Sequence, residues 1–187
     1  MNRLRIDEEH WLSGVRRVPS PNVDARGVGE RVELVVIHCI SLPPGEFGTG
    51  LPEALLANRL DIAAHPALAD LAGVRVSAHL LIDRLGAIVQ FVPFDRRAWH
   101  AGVSTWRGRV SCNRFSVGIE LEGAETVPYT EAQYATLRLV LAVLMQRYPA
   151  LGPDTIVGHA EIAPERKRDP GPAFDWKRVT AWCRLTG

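Results

Sequence analysis

Apolar residues fall along this chain in short blocks, separated by runs of proline, glycine and charge. The first block is residues 31–38, RVELVVIH. Val32, Leu34, Val35, Val36 and Ile37 are mostly β-branched, and an apolar run without alternation predicts a strand covered on both faces. His38 closes the block and opens onto SLPPGEFGTG, a loop by its proline and glycine content. Residues 76–92 predict a hairpin in which VSAHLLID and AIVQFVP flank a turn at Arg84-Leu85-Gly86, with His79 inside the first strand and facing the core. Residues 116–122, SVGIELE, alternate strictly. Val117, Ile119 and Leu121 face one way, and Ser116, Gly118, Glu120 and Glu122 the other. If that second side looks into a cleft, Glu120 is a site residue; if it looks into water, Glu120 and Glu122 are ordinary surface acids. TIVGH, at 155–159, predicts one more short strand ending in a histidine.

The helical signals lie between these strands. Residues 52–73 predict helix in short pieces, PEALLANRL and HPALADLAG, with His65 capping, Pro66 in a first turn and Gly73 as a stop. Thr130 opens the main helix, because T-E-A-Q is a capping box with Gln133 three residues on. Leu137, Val140, Leu141 and Leu144 form its apolar stripe, broadened by Leu139, Val143 and Met145, and it should stop near Tyr148-Pro149. Asp175 is placed to cap a closing helix, WKRVTAWCRLTG, that packs Val179, Trp182 and Cys183 inward. Residues 1–30 are polar and turn-rich and predict an arm lying on the domain, with Trp11 requiring a pocket. The whole pattern predicts a single α/β (α+β) domain, residues 31–187, with a central mixed β-sheet flanked by helices.

Composition narrows the functional classes. The chain has 187 residues, is 47% hydrophobic and carries a formal net charge of +1. That is enough for one sizeable core, and interspersed signs argue against a nucleic-acid partner. The longest apolar run, LRLVLAVLM, falls short of the roughly 20 residues of a membrane span. The start, MNRLRIDEEHWLSG, lacks the apolar core of a secretory signal. Cys39, Cys112 and Cys183 are odd in number and widely spaced, which predicts reduced thiols in the cytoplasm rather than a disulfide framework.

Candidate chemistry concentrates in residues 155–176, TIVGHAEIAPERKRDPGPAFDW. Proline excludes a long helix there, so the strand should run into a stiff polar loop. His38 and His159 each end a buried strand; in parallel neighbours their side chains would lie about 5–10 Å apart. Asp169, swung back on the proline-braced loop, completes a two-histidine, one-carboxylate set that suits a tetrahedral zinc with one open position. His79 and His100 are rival ligands. Hydrolysis at such a site needs a general base, for which Glu120 is the candidate, and positive charge at the oxyanion, for which Lys167 is the candidate. Trp99 and His100, in RAWHAG, are a pair that often lines a ligand pocket.

At these same residues the chain resembles a family of zinc amidases that also includes peptidoglycan recognition proteins and phage lysozymes of amidase type. The segments that carry the resemblance are RRVPSPN, LVVIH, ISLPPGEFG, RVSAHLLI, GAIVQFVPFD, RAWHAGVS, FSVGIELEG, YTEAQY and GHAEIAPERKRDPGPAFDW, from Arg16 to Trp176. The resemblance implies one Zn²⁺ per chain on His38, His159 and Asp169, with Glu120 as acid/base and Lys167 at the oxyanion. It implies cleavage of the amide between the lactyl group of (1,6-anhydro-)N-acetylmuramic acid and L-alanine in cytosolic muropeptides, by a monomer, during peptidoglycan recycling. Arg75 would hold a peptide carboxylate and Trp99 would flank the sugar or the stem. Two positions depart from the pattern: Cys39 stands where the pattern has asparagine, and Ser111 where it has an arginine, for which Arg109 or Arg114 would substitute. Cys39 should point away from the metal, because strand neighbours face opposite sides. The alternative function is a module that binds muropeptides without cutting them.

Overall fold

The computed structural model describes residues 4–185. Two short strands, β1 (Arg16–Arg17) and β2 (Val23–Ala25), precede β3 (Leu34–Ile40). The next connection holds α1 (Leu51–Leu56) and two 3-10 segments, Ile62–Ala64 and Pro66–Leu71. Then come β4 (Leu80–Ile82), β5 (Ile88–Gln90), β6 (Arg96–Ala98), β7 (Thr105–Trp106), β8 (Arg109–Val110) and β9 (Ser116–Glu122). The chain ends with α2 (Glu131–Arg147), β10 (Ile156–Gly158), α3 (His159–Ile162) and α4 (Trp176–Leu185). The last two residues of the expected closing helix and the first three of the arm lie outside the described residues.

Six strands form one sheet in the order β1-β5-β4-β9-β3-β10. The β4–β5 hairpin is antiparallel and the other neighbours run parallel, so the sheet is mixed. At its centre β3 and β9 pair along their full length, with His38 opposite Glu120. On the other edge of β3, Ile37 is paired with Gly158 of β10. That register brings His159, the next residue, level with His38.

The two faces of the sheet are used differently. Val35 and Ile37 of β3, Val117, Ile119 and Leu121 of β9, and Leu80 and Ile82 of β4 pack beneath α2 and α4. The α2 stripe of Leu137, Val140, Leu141 and Leu144 is buried there as expected, each side chain worth roughly 1.5–3 kcal/mol of transfer. Both halves of the capping box are formed: Gln133 N donates to Thr130 Oγ1 and Thr130 N to Gln133 Oε1, each at 3.1 Å. Asp175 Oδ1 caps α4 by accepting from Arg178 N at 3.0 Å. On the opposite face, Leu34, Val36, Cys112, Phe115 and Ile162 form a smaller cluster, and Leu56, Ala78, Leu81 and Phe91 another.

Several expectations are corrected. The strand β3 runs on to Ile40, so His38 lies within it rather than at its end. The residues after β10 form a helical turn before the loop, and His159 is the first residue of that turn. The reason is local: Glu161 folds back so that its Oε1 accepts from Gly158 N at 2.9 Å. Leu139 is exposed, since a broadened stripe would carry it past the sheet. Glu122 is buried and structural, its carboxylate accepting from Gly48 N and Arg84 N. The arm supplies the edge strand β1, and Leu12 is fully buried in the main core. Trp11 finds its partner in Arg17, whose guanidinium lies 5.1 Å over the ring.

Candidate metal centre and active-site cleft

Three side chains converge on one point. His38 Nδ1 and His159 Nδ1 lie 2.9 Å apart, and each is 3.1 Å from Asp169 Oδ2. Both histidines are buried and Asp169 is partly so. The loop that carries Asp169 is fastened on both sides: Ala160 N donates to Asp169 O at 3.0 Å, and Tyr129 OH to Pro170 O at 2.8 Å. Gly158 allows the close approach, because a Cβ there would stand 2.9 Å from Pro170 Cδ.

The donor set fits a metal ion. His159 Nε2–H donates to Ala101 O at 3.1 Å, which leaves the Nδ1 lone pair directed at the cluster. Burial first, with the neighbouring His159 adding to it, lowers the pKa of His38 to about 4 against the opposing pull of Asp169, so its ring is neutral at pH 7. Burial opposes the Asp169 charge, but its bonds to His159 and His38 outweigh this and hold its carboxyl well below the usual range. Two imidazole nitrogens and one carboxylate oxygen are a set suited to a borderline-soft divalent ion.

Glu120 stands one strand away. Its Oε2 is buried without a hydrogen-bond partner. Burial, and then repulsion from Asp169, push its pKa up to about 8, with Lys167 pulling partly back. His38, His159, Asp169, Glu120 and Lys167 all line one cleft of about 490 Å³. Its far side is apolar, with Leu42, Leu55, Leu56, Leu71 and Val76. Arg166, Lys167 and Arg168 form a cationic wall beside the metal-ligand set.

The remaining candidates divide. His100 lines the cleft, but both ring nitrogens are engaged, with His38 Nε2 at 2.9 Å and Ser116 Oγ at 3.0 Å. Arg75 lines an adjoining hollow that shares Leu55, Leu71 and Val74 with the cleft. Trp99 is held away from the metal-ligand set, its Nε1 donating to Asp24 Oδ2 at 2.6 Å. Arg109 is committed elsewhere, paired with Glu33 and lying 3.9 Å over the Phe115 ring. Ser111 takes a left-handed conformation, φ 63°, and Arg114 pairs with Glu30, so neither supplies charge to the cleft wall. His79 is no ligand: Nδ1 accepts from Gly118 N and Nε2 donates to Arg96 O, both at 3.0 Å. Cys39 packs against the main core beside Tyr129 while still bordering the cleft, and burial pushes its thiol up to about 12.

Sequence reasoning missed Ser116, Asn113 and Arg166. Ser116 had a signal, since it shares the Glu120 side of β9. Arg166 had none: its Nη2 donates to Ala101 O and Val103 O, both at 2.8 Å, a contact between segments 63–65 residues apart.

A two-histidine, one-carboxylate set that could hold a metal ion, beside a glutamate whose Oε2 has no hydrogen-bond partner, is an arrangement of the metal-hydrolase type. The family model for N-acetylmuramoyl-L-alanine amidases matches residues 28–172, and the chain belongs to that family. The 1,6-anhydro-N-acetylmuramyl-L-alanine amidase AmpD of Escherichia coli strain K12 is 56% identical over 171 residues, 91% of this chain and 93% of that one. The enzyme of the same name from Salmonella typhimurium strain SL1344 is 54% identical over 181 residues, 97% of this chain and 96% of its own. Among solved structures, a selenomethionine AmpD derivative superposes with a TM-score of 0.90 at 56% identity, covering 94% of this chain and 97% of that one. AmiD of E. coli, solved with anhydro-N-acetylmuramic acid-L-Ala-D-γ-Glu-L-Lys, gives a TM-score of 0.61 at 28% identity over 97% of this chain and 66% of its own. No helix among the described residues is long and apolar enough to cross a membrane.

Proposed function

We propose that this chain is a zinc amidase that cleaves the bond between the lactyl group of (1,6-anhydro-)N-acetylmuramic acid and L-alanine in small muropeptides, acting as a cytoplasmic monomer. One observation carries the reading: three ligand atoms all within 4.8 Å of one another, in a cleft that also holds Glu120 and Lys167. The names of the AmpD relatives, and the muropeptide bound in the AmiD structure, supply the substrate class. The three free cysteines suit a reducing compartment.

His38, His159 and Asp169 would hold Zn²⁺, which when bound supplies a Lewis acid for the scissile carbonyl and lowers the pKa of water. Glu120 takes the proton of the attacking water and returns it to the leaving amine of L-alanine. Its Oε2 is buried without a hydrogen-bond partner while the residue lines the cleft, so its proton affinity stays high and it can still meet a water there. Lys167, on the same wall, offsets the negative charge that develops on the carbonyl oxygen. The apolar side of the cleft would take the less polar surface of the ligand, and Arg75, in the adjoining hollow, would meet a stem carboxylate. Trp99 and Arg109 do not line this cleft.

The test is paired. Metal content is measured on the purified protein, and release of free peptide from anhydro-muramyl-tripeptide is followed with and without a chelator. One zinc per chain with chelator-sensitive release is expected. Zinc without release, or binding of the muropeptide without cleavage, would overturn the enzyme reading in favour of a binding module.

A further inference from the structure

A buried chain of polar groups runs from the metal-ligand set, through His100 at the cleft wall, to β9. His38 Nε2 lies 2.9 Å from His100 Nδ1, His100 Nε2 lies 3.0 Å from Ser116 Oγ, and Ser116 Oγ lies 2.6 Å from Cys112 O. All three side chains are buried. The direction of every hydrogen in this chain follows from its last member. A backbone carbonyl only accepts, so Ser116 donates its single hydroxyl proton to Cys112 O. The Ser116 oxygen then meets His100 as an acceptor, so the His100 proton is on Nε2. His100 Nδ1 is therefore a bare lone pair, and it accepts from His38 Nε2–H. This leaves His38 Nδ1 unprotonated and directed at His159 and Asp169.

The position of His100 is itself built. Asn113 Oδ1 accepts from the backbone N–H of both His100 and Ala101, at 3.1 and 2.7 Å. The ring lies over Gly118, where a Cβ would stand 2.4 Å from His100 Cγ. Any side chain at 118 would displace the imidazole. Ser116 and Gly118 are two residues apart on β9, on the same side as Glu120, so one strand face carries the relay and the candidate base.

We infer that His100 and Ser116 are positioning residues which fix His38 as the Nε2–H tautomer and so prepare its Nδ1 as a metal ligand. The inference rests on the zinc reading above. Partners of this kind behind a ligating histidine are typically worth about 10–100-fold in metal affinity.

The experiment uses full-length, zinc-loaded protein challenged with a competing chromogenic chelator, and reads an apparent zinc dissociation constant. Ser116→Ala and His100→Leu are expected to weaken retention by about 10–100-fold. His100→Gln should recover most of that loss, because its amide accepts from His38 and donates to Ser116. Nitrogen-15 correlation spectra of the imidazoles are expected to show the His38 proton on Nε2. Should His100→Leu fail to fold, Ser116→Ala removes one hydroxyl and leaves the ring in place, so it decides alone. Unchanged zinc retention in Ser116→Ala, or a His38 proton on Nδ1, would overturn the inference. A wild-type protein that holds no zinc would sink the zinc reading instead. The His38 tautomer, read on that protein, would still decide the direction of the relay.

Discussion

Replacing Glu120 by glutamine should sharply lower activity and yet make the metal-free protein more stable. The Glu120 carboxyl is pushed up to about 8, first by burial and then by Asp169. In the unfolded chain it returns to its ordinary value of 4.5. Between these two values the folded state binds the extra proton, so stability falls as pH rises, by about 1.4 kcal/mol per pH unit. Below the ordinary value both states are protonated and nothing is lost. At pH 7 the accumulated cost has a ceiling of about 3 kcal/mol, and relaxation around the buried carboxyl reduces it to roughly 1–3 kcal/mol. Glutamine is neutral at every pH and nearly the same shape, so it removes this cost.

The assay is urea unfolding of metal-free wild type and Glu120→Gln at pH 5, 7 and 8. The stability gain of the variant should be small at pH 5 and grow towards pH 8. A gain that is the same at all three pH values, or a variant less stable than wild type at pH 7, would refute the assignment of Glu120 as a buried, strained carboxyl. Peptide release by the zinc-loaded variant should fall by roughly 10²–10⁴-fold, the range typical of a lost general base. Stability gained while turnover is lost separates a group kept for chemistry from one kept for packing.

Gly118→Ala should weaken zinc retention and cost roughly 1–3 kcal/mol of stability in denaturant unfolding, because the new methyl and the His100 ring compete for one space. Unaltered zinc retention with a simple stability loss would show that the ring relaxes without harm to the site. His79 tests burial away from the candidate metal ligands. Burial, with the Arg26 charge second, lowers its pKa to about 3, so the unfolded chain binds the extra proton between that value and 6.5. Stability therefore declines as pH falls through this window, by about 1.4 kcal/mol per unit. His79→Gln should flatten the decline between pH 6 and pH 4 in urea unfolding, and parallel slopes for the two proteins would count against it.

Much of this arrangement was legible before any coordinates. Parallel, doubly covered strands read as continuous apolar runs, and residues 31–38 gave that signal. The strict alternation of residues 116–122 placed Glu120 with Gly118 and Ser116. The capping box at Thr130 and the stripe from Leu137 to Leu144 needed only local chemistry. What escaped depended on pairing at a distance. The relay from His38 to Cys112 joins groups from β3, the segment after β6 and the start of β9, and no spacing in the sequence encodes it. The partners of Arg109 and Trp99 were hidden for a similar reason. Each looked free to meet a ligand, and each is bound to an acid, Glu33 or Asp24, far away in the chain.

The register of β9 links packing to chemistry. Its odd-numbered residues, Val117, Ile119 and Leu121, enter the main core under α2, while Ser116, Gly118 and Glu120 face the other way. A slip of one residue against β3 would turn Glu120 into the core and move Val117 or Ile119 towards His100. Such a slip would lose both the apolar burial and the metal environment. The α2 stripe, packed on the other face of the sheet, therefore helps to set the height of Glu120 against His38. On the other side of β3, the pairing of Gly158 with Ile37 sets the height of His159 in the same way. The strand register beneath the cleft is thus set in part by hydrophobic contacts on the face turned away from it. Conservative changes at Leu137 or Leu141 should consequently alter stability first, and activity only when the register of β9 is loosened.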